Sequence, residues 1–399
     1  MNILIIDEEF PFPLNTGKRI RSFHLARALT KWHKVSYLAY GTENSAALLF
    51  MKQNEIAPYA VAPSDRRKSG LKFYLRLFVN LFSSEPYIVT SHYTARYQNR
   101  LGEITKSLNF DCIVCEWTPY AKYIRSIEGP KKIIVAHNVE SSIWRGYEAN
   151  ERNIFKKAFI SIQAARVENF ERDCFKWAQG AIAVTEEDAG KIRGFGLDHE
   201  VAVIENGVDL DYFRPQAQEI DKNLMVFTGS MDWRPNQDAA RYFVTEIFPR
   251  IRAKRPQAKV HFVGRDPDRK TSELGKVDGV TIMGTVDDVR PYIARAGAYI
   301  VPLRIGGGSR LKILEAMAMR KAIVSTSIGA EGLRVTDREN IVLSDDPEDF
   351  AREVLAVLDD DGYRGRLAES GMRTVEKYYR WEELGKKFSD YLCSVIRRD

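Results

Sequence analysis

Short apolar runs alternate with helical patterns in this chain, and the alternation occurs twice with one polar seam between the two series. The first series opens with Asn2–Asp7, a run that reads as a buried parallel strand. A helical pattern follows over Lys18–Trp32, with Ile20, Phe23, Leu25, Ala28 and Leu29 on its apolar side. Strand patterns recur at Lys34–Tyr40, Ile56–Val61, Asp111–Glu116, Lys132–His137, Gly180–Val184 and Val201–Ile204, with a long helix over Glu151–Trp177. The seam is Asn206–Pro215, rich in turn residues, and the polar stretch 216–223. The second series has strands at Leu224–Thr228, Lys259–Val263, Val280–Met283, Ala298–Leu303, Ala322–Ser325 and Ile341–Leu343. Helices are expected at Asn236–Ala253, Val289–Arg295 and from Pro347 onward. The pattern predicts an α/β chain of two doubly wound parallel sheets, with ligands held at the carboxyl ends of the strands.

One stretch of the second series carries chemistry. Ala298–Leu303 ends in a loop of three glycines, Gly306 to Gly308, followed by a strongly helical segment. A helix start leaves its first N–H groups unpaired and carries positive dipole, so this arrangement can seat a phosphate. Ser309 stands where a cap is needed, and Arg310 and Lys312 add positive charge. Glu315 follows Leu311 by four and precedes Ala318 by three, which sets a carboxylate beside apolar positions near the helix start. A carboxylate there suits sugar or ribose hydroxyls better than phosphate. The stretch alone is equally consistent with an ordinary glycine turn and a surface glutamate. It is neither a Walker loop, lacking Gly-Lys-Ser/Thr, nor the dinucleotide Gly-x-Gly-x-x-Gly. Gly17, at the first helix start, either admits a ligand close to the backbone or serves a turn.

With 399 residues, 44% hydrophobic and 29% charged, the chain is expected to be a soluble protein of two domains, without a signal peptide or a membrane span. Cys112 and Cys115 fall on opposite sides of a buried strand pattern, which suits neither metal nor redox work; with Cys174 and Cys393 they read as reduced cytosolic thiols. A net charge of +6 permits anionic lipids or substrates and does not call for nucleic acid. Residues 64–82 join a basic cluster to a Phe-, Leu- and Tyr-rich helical pattern. Such a segment contacts an anionic membrane surface or packs its apolar face on the first domain; core helices look the same, so the sequence favours packing. The expected location is cytoplasmic, with peripheral contact at the inner face of the plasma membrane if 64–82 docks there.

Several ordered motifs then carry a resemblance that covers nearly the whole chain. They are the strand leading to Gly17, Ala136-His-Asn-Val-Glu140, Val184-Thr-Glu-Glu-Asp188, Val203-Ile-Glu-Asn-Gly-Val-Asp209 with Phe213, Phe227-Thr-Gly-Ser230, and Arg310-Leu-Lys-Ile-Leu-Glu-Ala-Met-Ala318 with Gly329-Ala-Glu-Gly332. Each is weak, and their order and spacing are specific. Together they resemble the glycosyltransferases of the GT-B fold, in the large retaining family 4, or group 1. The variant Gly-Ser-Met-Asp-Trp-x-Pro-Asn is similar to transferases that build bacterial exopolysaccharide or lipopolysaccharide.

The resemblance implies two Rossmann-like domains facing across a cleft: 1–210 for the acceptor, 211–378 for the nucleotide sugar, and a helix in 379–399 that crosses back to the first domain. It implies a retaining transfer from a nucleotide-diphosphate sugar, UDP- or GDP-linked, to a glycan or lipid-linked acceptor, with no cofactor and no metal. Asp209-Leu-Asp211 belongs to the hinge motif and is assigned no metal. His137 would lie near the donor sugar, Glu315 would bind ribose, and Arg310 would face the leaving diphosphate. Gly17, Gly229, Gly307, Gly308, Ser309, Lys312, Arg234 and Glu331 complete the implied donor set. The chain also departs from the family. The first carboxylate of its Glu-x7-Glu falls on Gly307, and its usual Arg and Lys fall on Ser230 and Pro235. Arg234, Arg310 and Lys312 are the nearby substitutes. The alternatives are a non-catalytic nucleotide-sugar-binding homologue or scaffold in a polysaccharide assembly complex, and a sugar-nucleotide 2-epimerase, against which the Asn-Gly-Val-Asp and Leu-Glu-Ala-Met-Ala motifs argue.

Overall fold

A computed structural model describes residues 1–63, 70–305 and 310–397. The chain forms two compact units, Met1–Glu205 with Leu384–Asp399, and Asn206–Glu383. These divisions differ from the expected breaks at 210/211 and 378/379. The reason is local: Val208 N–H donates to the Tyr379 carbonyl at 2.8 Å, and a Cβ on Gly207 would meet the Trp381 ring at 2.7 Å. Both chain segments at the seam are thus bonded into the second unit.

The first unit is built on seven parallel strands: β1 (Asn2–Glu9), β2 (Lys34–Tyr40), β3 (Ile56–Val61), β4 (Cys112–Cys115), β5 (Lys131–Ala136), β6 (Gly180–Ala183) and β7 (Val201–Val203). Their order is β3-β2-β1-β4-β5-β6-β7. The winding reverses between β1 and β4, where Ile3 to Ile6 lie in register with Cys112 to Cys115. Residues 112–115 are wholly buried, because helices cover both faces of the sheet. The Cys-x-x-Cys therefore serves packing, and no disulfide involves it.

The second unit repeats the plan with β8 (Asp221–Thr228), β9 (Lys259–Val263), β10 (Val280–Gly284), β11 (Ala296–Val301), β12 (Ile323–Ser325) and β13 (Val342–Leu343), in the order β10-β9-β8-β11-β12-β13. Every described pairing is parallel, and the winding reverses between β8 and β11. Two doubly wound parallel sheets in series are what the alternation predicted.

The helices that bear on function are α1 (Gly17–Leu29), α2 (Leu71–Asn80), α3 (Glu140–Asn150), α4 (Ile154–Trp177), α5 (Arg234–Tyr242), α6 (Leu311–Ala318) and α7 (Trp381–Arg397). Helix α3 was not expected. The helix expected over Asn236–Ala253 is interrupted by a π-turn at Phe243–Ile247, just before Pro249, which has no N–H to continue the ladder. The packing expected for residues 64–82 is not what the described part shows: Leu75, Phe78, Val79 and Phe82 are 58–81% exposed. Residues 64–69, the basic cluster, lie outside the described residues.

Helix α7 completes the first unit from residue 384 onward. Leu384, Phe388, Leu392 and Val395 are buried, and the Tyr391 hydroxyl accepts from Ala181 N–H and donates to the Glu200 carbonyl, both at 2.9 Å. A Cβ on Gly385 would fall on the Ala28 side chain, so α1 and α7 touch where only hydrogen fits. Gly385→Val should lower stability by about 1–3 kcal/mol through overpacking. Gly190→Val, where nothing lies within 4 Å of an added Cβ, is the control. Urea midpoints check this, with the larger drop expected at residue 385.

Candidate functional site

In the first unit the polar groups gather where β1, β4 and β5 end. Asp7 lies near the carboxyl end of β1, Glu116 follows β4, and His137 follows β5. Glu116 is 1% exposed, and its carboxylate accepts from His137 Nε2 at 2.9 Å and from Ser22 Oγ at 3.0 Å. Burial pushes its pKa up, but the His137 bond, the charges of His137 and Arg21, and the Ser22 bond outweigh this and hold it below the ordinary carboxylate value. Gly17 is the first residue of α1, capped by the Thr16 side chain. Beside it, Lys18 Nζ pairs with Asp7 Oδ1 at 2.6 Å, and Tyr37 donates to Asp7 Oδ2 at 2.8 Å. Burial alone would lower the Lys18 pKa; Asp7, with Glu8 and Glu9, raises it.

Two further buried carboxylates fix the turn after His137. Glu171 of α4 accepts from the backbone N–H groups of Glu140 and Ser141 at 2.7 and 3.0 Å, capping the start of α3. Glu140 accepts in turn from Trp117 Nε1 at 2.8 Å. Burial lifts the Glu171 pKa to about 7, against the pull of those N–H bonds.

In the second unit the groups gather at β8 and the start of α6. Lys312 Nζ donates to Asn236 Oδ1 at 2.8 Å and lies 4.0 Å above the centre of the Phe227 ring. A Cβ on Gly229 would meet Lys312 Nζ at 2.7 Å and Asn236 Nδ2 at 2.8 Å, so a side chain there would displace the ammonium. Glu315 stands one turn along α6, half-buried, its carboxylate without a hydrogen bond to a described residue. Burial lowers the Lys312 pKa to about 7, with Glu315 opposing and Arg310 assisting. Burial likewise raises Glu315 to about 7, with Lys312 opposing. An arriving anion would favour the charged lysine. Arg310, at the head of α6, adopts the left-handed conformation (φ 53°) and pairs with Glu331 at 2.9 Å. A non-glycine residue held there costs on the order of 1–3 kcal/mol, and such strain collects at ligand sites.

The proposed set is thus split between two edges. Gly17 and His137 share the first; Gly229, Arg310, Lys312, Glu315 and Glu331 share the second. Arg234 opens α5 as an exposed residue, without an ion pair among the described residues. Gly307, Gly308 and Ser309 lie outside the described residues, as does the cap expected of Ser309. Among the described residues, no group of three His, Cys, Asp or Glu could hold a metal.

Sequence reasoning passed over Glu116, Lys18, Asn236 and Arg265. Arg265, after β9, bonds Ser230 Oγ through Nε at 2.7 Å, bringing a guanidinium to the position where the family's arginine is replaced by serine. Glu116 was legible in principle, as a charge ending a wholly apolar strand.

The profile described as Glycosyltransferase Family 4 matches residues 20–212, and that described as Glycosyl transferases group 1 matches 222–360. An uncharacterized 44.6 kDa protein in the cps region of Klebsiella pneumoniae is 20% identical, over 88% of this chain and 90% of that protein. D-inositol 3-phosphate glycosyltransferase 2 of Catenulispora acidiphila is 28% identical over 51% of this chain, which spans 53% of that enzyme's length. Among solved structures, sucrose-phosphate synthase of Thermosynechococcus elongatus superposes with a TM-score of 0.75 at 15% identity, covering all of both chains. Anabaena HepE, solved with UDP and glucose, gives 0.68 at 13% identity, covering 99% of this chain and 100% of that one.

The Glu171 geometry makes a prediction about pH. An acid whose pKa is higher folded than unfolded stabilises the fold below its unfolded value, near 4.5, and that stability is lost as pH rises to the folded value, about 7. The loss is about 3 kcal/mol. Glu171→Gln cannot ionise, so between pH 4.5 and 7 its stability relative to wild type should rise with pH. Thermal midpoints of both proteins measure this, and parallel curves would contradict it.

Proposed function

The chain belongs to the group 1 glycosyltransferases of GT-B fold, and we propose that it is a retaining, metal-independent hexosyltransferase that moves a sugar from a nucleotide-diphosphate sugar to a glycan or lipid-linked acceptor in bacterial cell-surface polysaccharide synthesis. The observation that carries this reading is Glu315, a half-buried carboxylate without a described partner, one turn into a helix headed by Arg310 and flanked by Lys312. Ribose hydroxyls satisfy such a carboxylate, and a diphosphate satisfies the cations and the helix start. HepE, with UDP and glucose bound, supports a UDP-sugar donor; a GDP-sugar fits the same contacts.

In this reading the second unit holds the nucleotide. The bond from the sugar's anomeric carbon to the phosphate oxygen breaks as the bond to the acceptor oxygen forms on the same face. The acceptor's proton passes to the departing phosphate. Arg310, Lys312 and Arg265 stabilise the charge left on the diphosphate, in place of the family's Arg and Lys. The second reading, a binder without turnover, is favoured by those same replacements at Ser230, Pro235 and Gly307.

Thermal stabilisation by UDP-, GDP-, ADP- and CDP-sugars tests the site. Ligand at a hundred times its dissociation constant adds about 2.7 kcal/mol. One nucleotide should stabilise wild type and leave Glu315→Ala unmoved; stabilisation by none would refute the site. NMR of the product should show the donor's anomeric configuration, and inversion would reassign His137 and Glu116 as a general base and its partner. Binding without turnover on any acceptor would favour the scaffold.

We also place the anionic membrane contact on α2 and the chain just past it. Phe78 and Phe82 are exposed there, and Ile162, 42% exposed, sits next to Gln163, which bonds Asn80. No helix among the described residues is long and apolar enough to cross a bilayer, so the contact is to a surface. Burying an aromatic side chain contributes about 1.5–3 kcal/mol. Phe78→Ser with Phe82→Ser should weaken flotation with anionic vesicles about tenfold or more, and equal flotation would place the contact elsewhere.

A further inference from the structure

Glu116 occupies a position where a carboxylate is costly. It ends a strand with no solvent access, and an isolated charge there is penalised by several kcal/mol unless donors meet it. The donors come from two elements: Ser22 Oγ, with the Arg21 charge behind it, from α1, and His137 Nε2 from the end of β5. An ionised carboxylate only accepts, so the nitrogen facing it must carry the hydrogen. Nε2 is therefore the N–H of the ring. Nδ1 is the remaining polar atom, and it has no partner among the described residues.

The backbone after His137 is held from the other side. Glu171 takes the N–H groups of Glu140 and Ser141, and Glu140 is fixed by Trp117, so both ends of the turn 137–141 are anchored on buried carboxylates. His137 itself keeps 13% of its side chain exposed, at the edge where Gly17 and Lys18 begin α1. The ring thus has one nitrogen committed to the protein and one left for a ligand.

We propose that Glu116 is a positioning residue for His137: it fixes the imidazole by Nε2 and presents Nδ1 to a hydroxyl of the donor sugar. The ligand named here rests on the glycosyltransferase reading; the fixed tautomer does not. Glu116 acts through His137 and touches no substrate. Its removal therefore lowers turnover and leaves nucleotide affinity alone.

Two measurements test this independently. The first is 15N NMR of histidine-labelled full-length protein, which needs no turnover. The neutral His137 ring should be protonated at Nε2 in wild type and should become a mixture of tautomers in Glu116→Ala. Protonation at Nδ1 in wild type overturns the proposal, whatever the protein's activity.

The second is a kinetic cycle with the nucleotide sugar that stabilises the protein. Glu116→Ala should lower kcat about a hundredfold, the scale of a misplaced reacting geometry. The donor KM should change less than threefold, and the loss should vanish in a His137→Ala background. Additive losses would mean that Glu116 acts elsewhere. If Glu116→Ala does not fold, Ser22→Ala removes one of the two bonds that hold the carboxylate. It should lower kcat several-fold with unchanged KM, and only while His137 is present; a loss that persists without His137 overturns the proposal equally. Tautomer fixed but turnover absent would uphold the positioning and refute the transferase.

Discussion

Both sheets are parallel throughout, and a parallel sheet sends the carboxyl end of every strand to one edge. Strands buried on both faces carry few polar side chains along their length, so polar chemistry concentrates at and just past the strand ends. Glu116 and His137 stand directly past their strands in the first unit, and in the second Gly229 directly follows β8 and Arg265 lies two residues past β9. At the reversal of winding, neighbouring crossovers leave to opposite faces and leave that edge open. Both clusters lie at such a reversal, β1 with β4 and β8 with β11. The candidate sites follow from topology before any side chain is considered.

That dependence explains how much could be read from the chain alone. The fold was legible because buried strands are short apolar runs, and their rhythm with helices is visible without partners. Gly17, His137 and Glu315 stand out as candidates in the sequence because they sit at fixed distances from those runs. Glu116 was not singled out, since its role depends on Ser22 and His137, which are 94 and 21 residues away. Arg265 was missed for the same reason; its approach to Ser230 is a matter of strand order, which no local pattern encodes. The apolar face of α2 was misjudged because periodicity gives a face and not what covers it.

Positive charge reaches the end of β8 from other parts of the sequence. A guanidinium arrives from the residue pair after β9 and an ammonium from the first turn of α6. The cost falls on Lys312. It is housed over an aromatic ring with one amide acceptor among the described residues, and burial erodes its charge. Glu315 is affected in the opposite sense by the same burial. On the proposed reading, a nucleoside diphosphate would offer anionic oxygens to one and hydroxyl donors to the other, which would make an unfavourable pair of residues favourable only when occupied.

The place of α7 has a consequence for synthesis on the ribosome. Residues 206–383 form one uninterrupted unit and can close as soon as they emerge. The first unit cannot: Ala181 N–H and the core beside Gly180 wait for Tyr391 and Val395, Tyr391 lying 210 residues downstream of Ala181. Nascent chains commonly finish their leading domain first, whereas here the leading domain is finished last. Until then its apolar sheet is open on that side, so the interval between translation of Glu205 and of Val395 is when the chain is most exposed to aggregation and to chaperones.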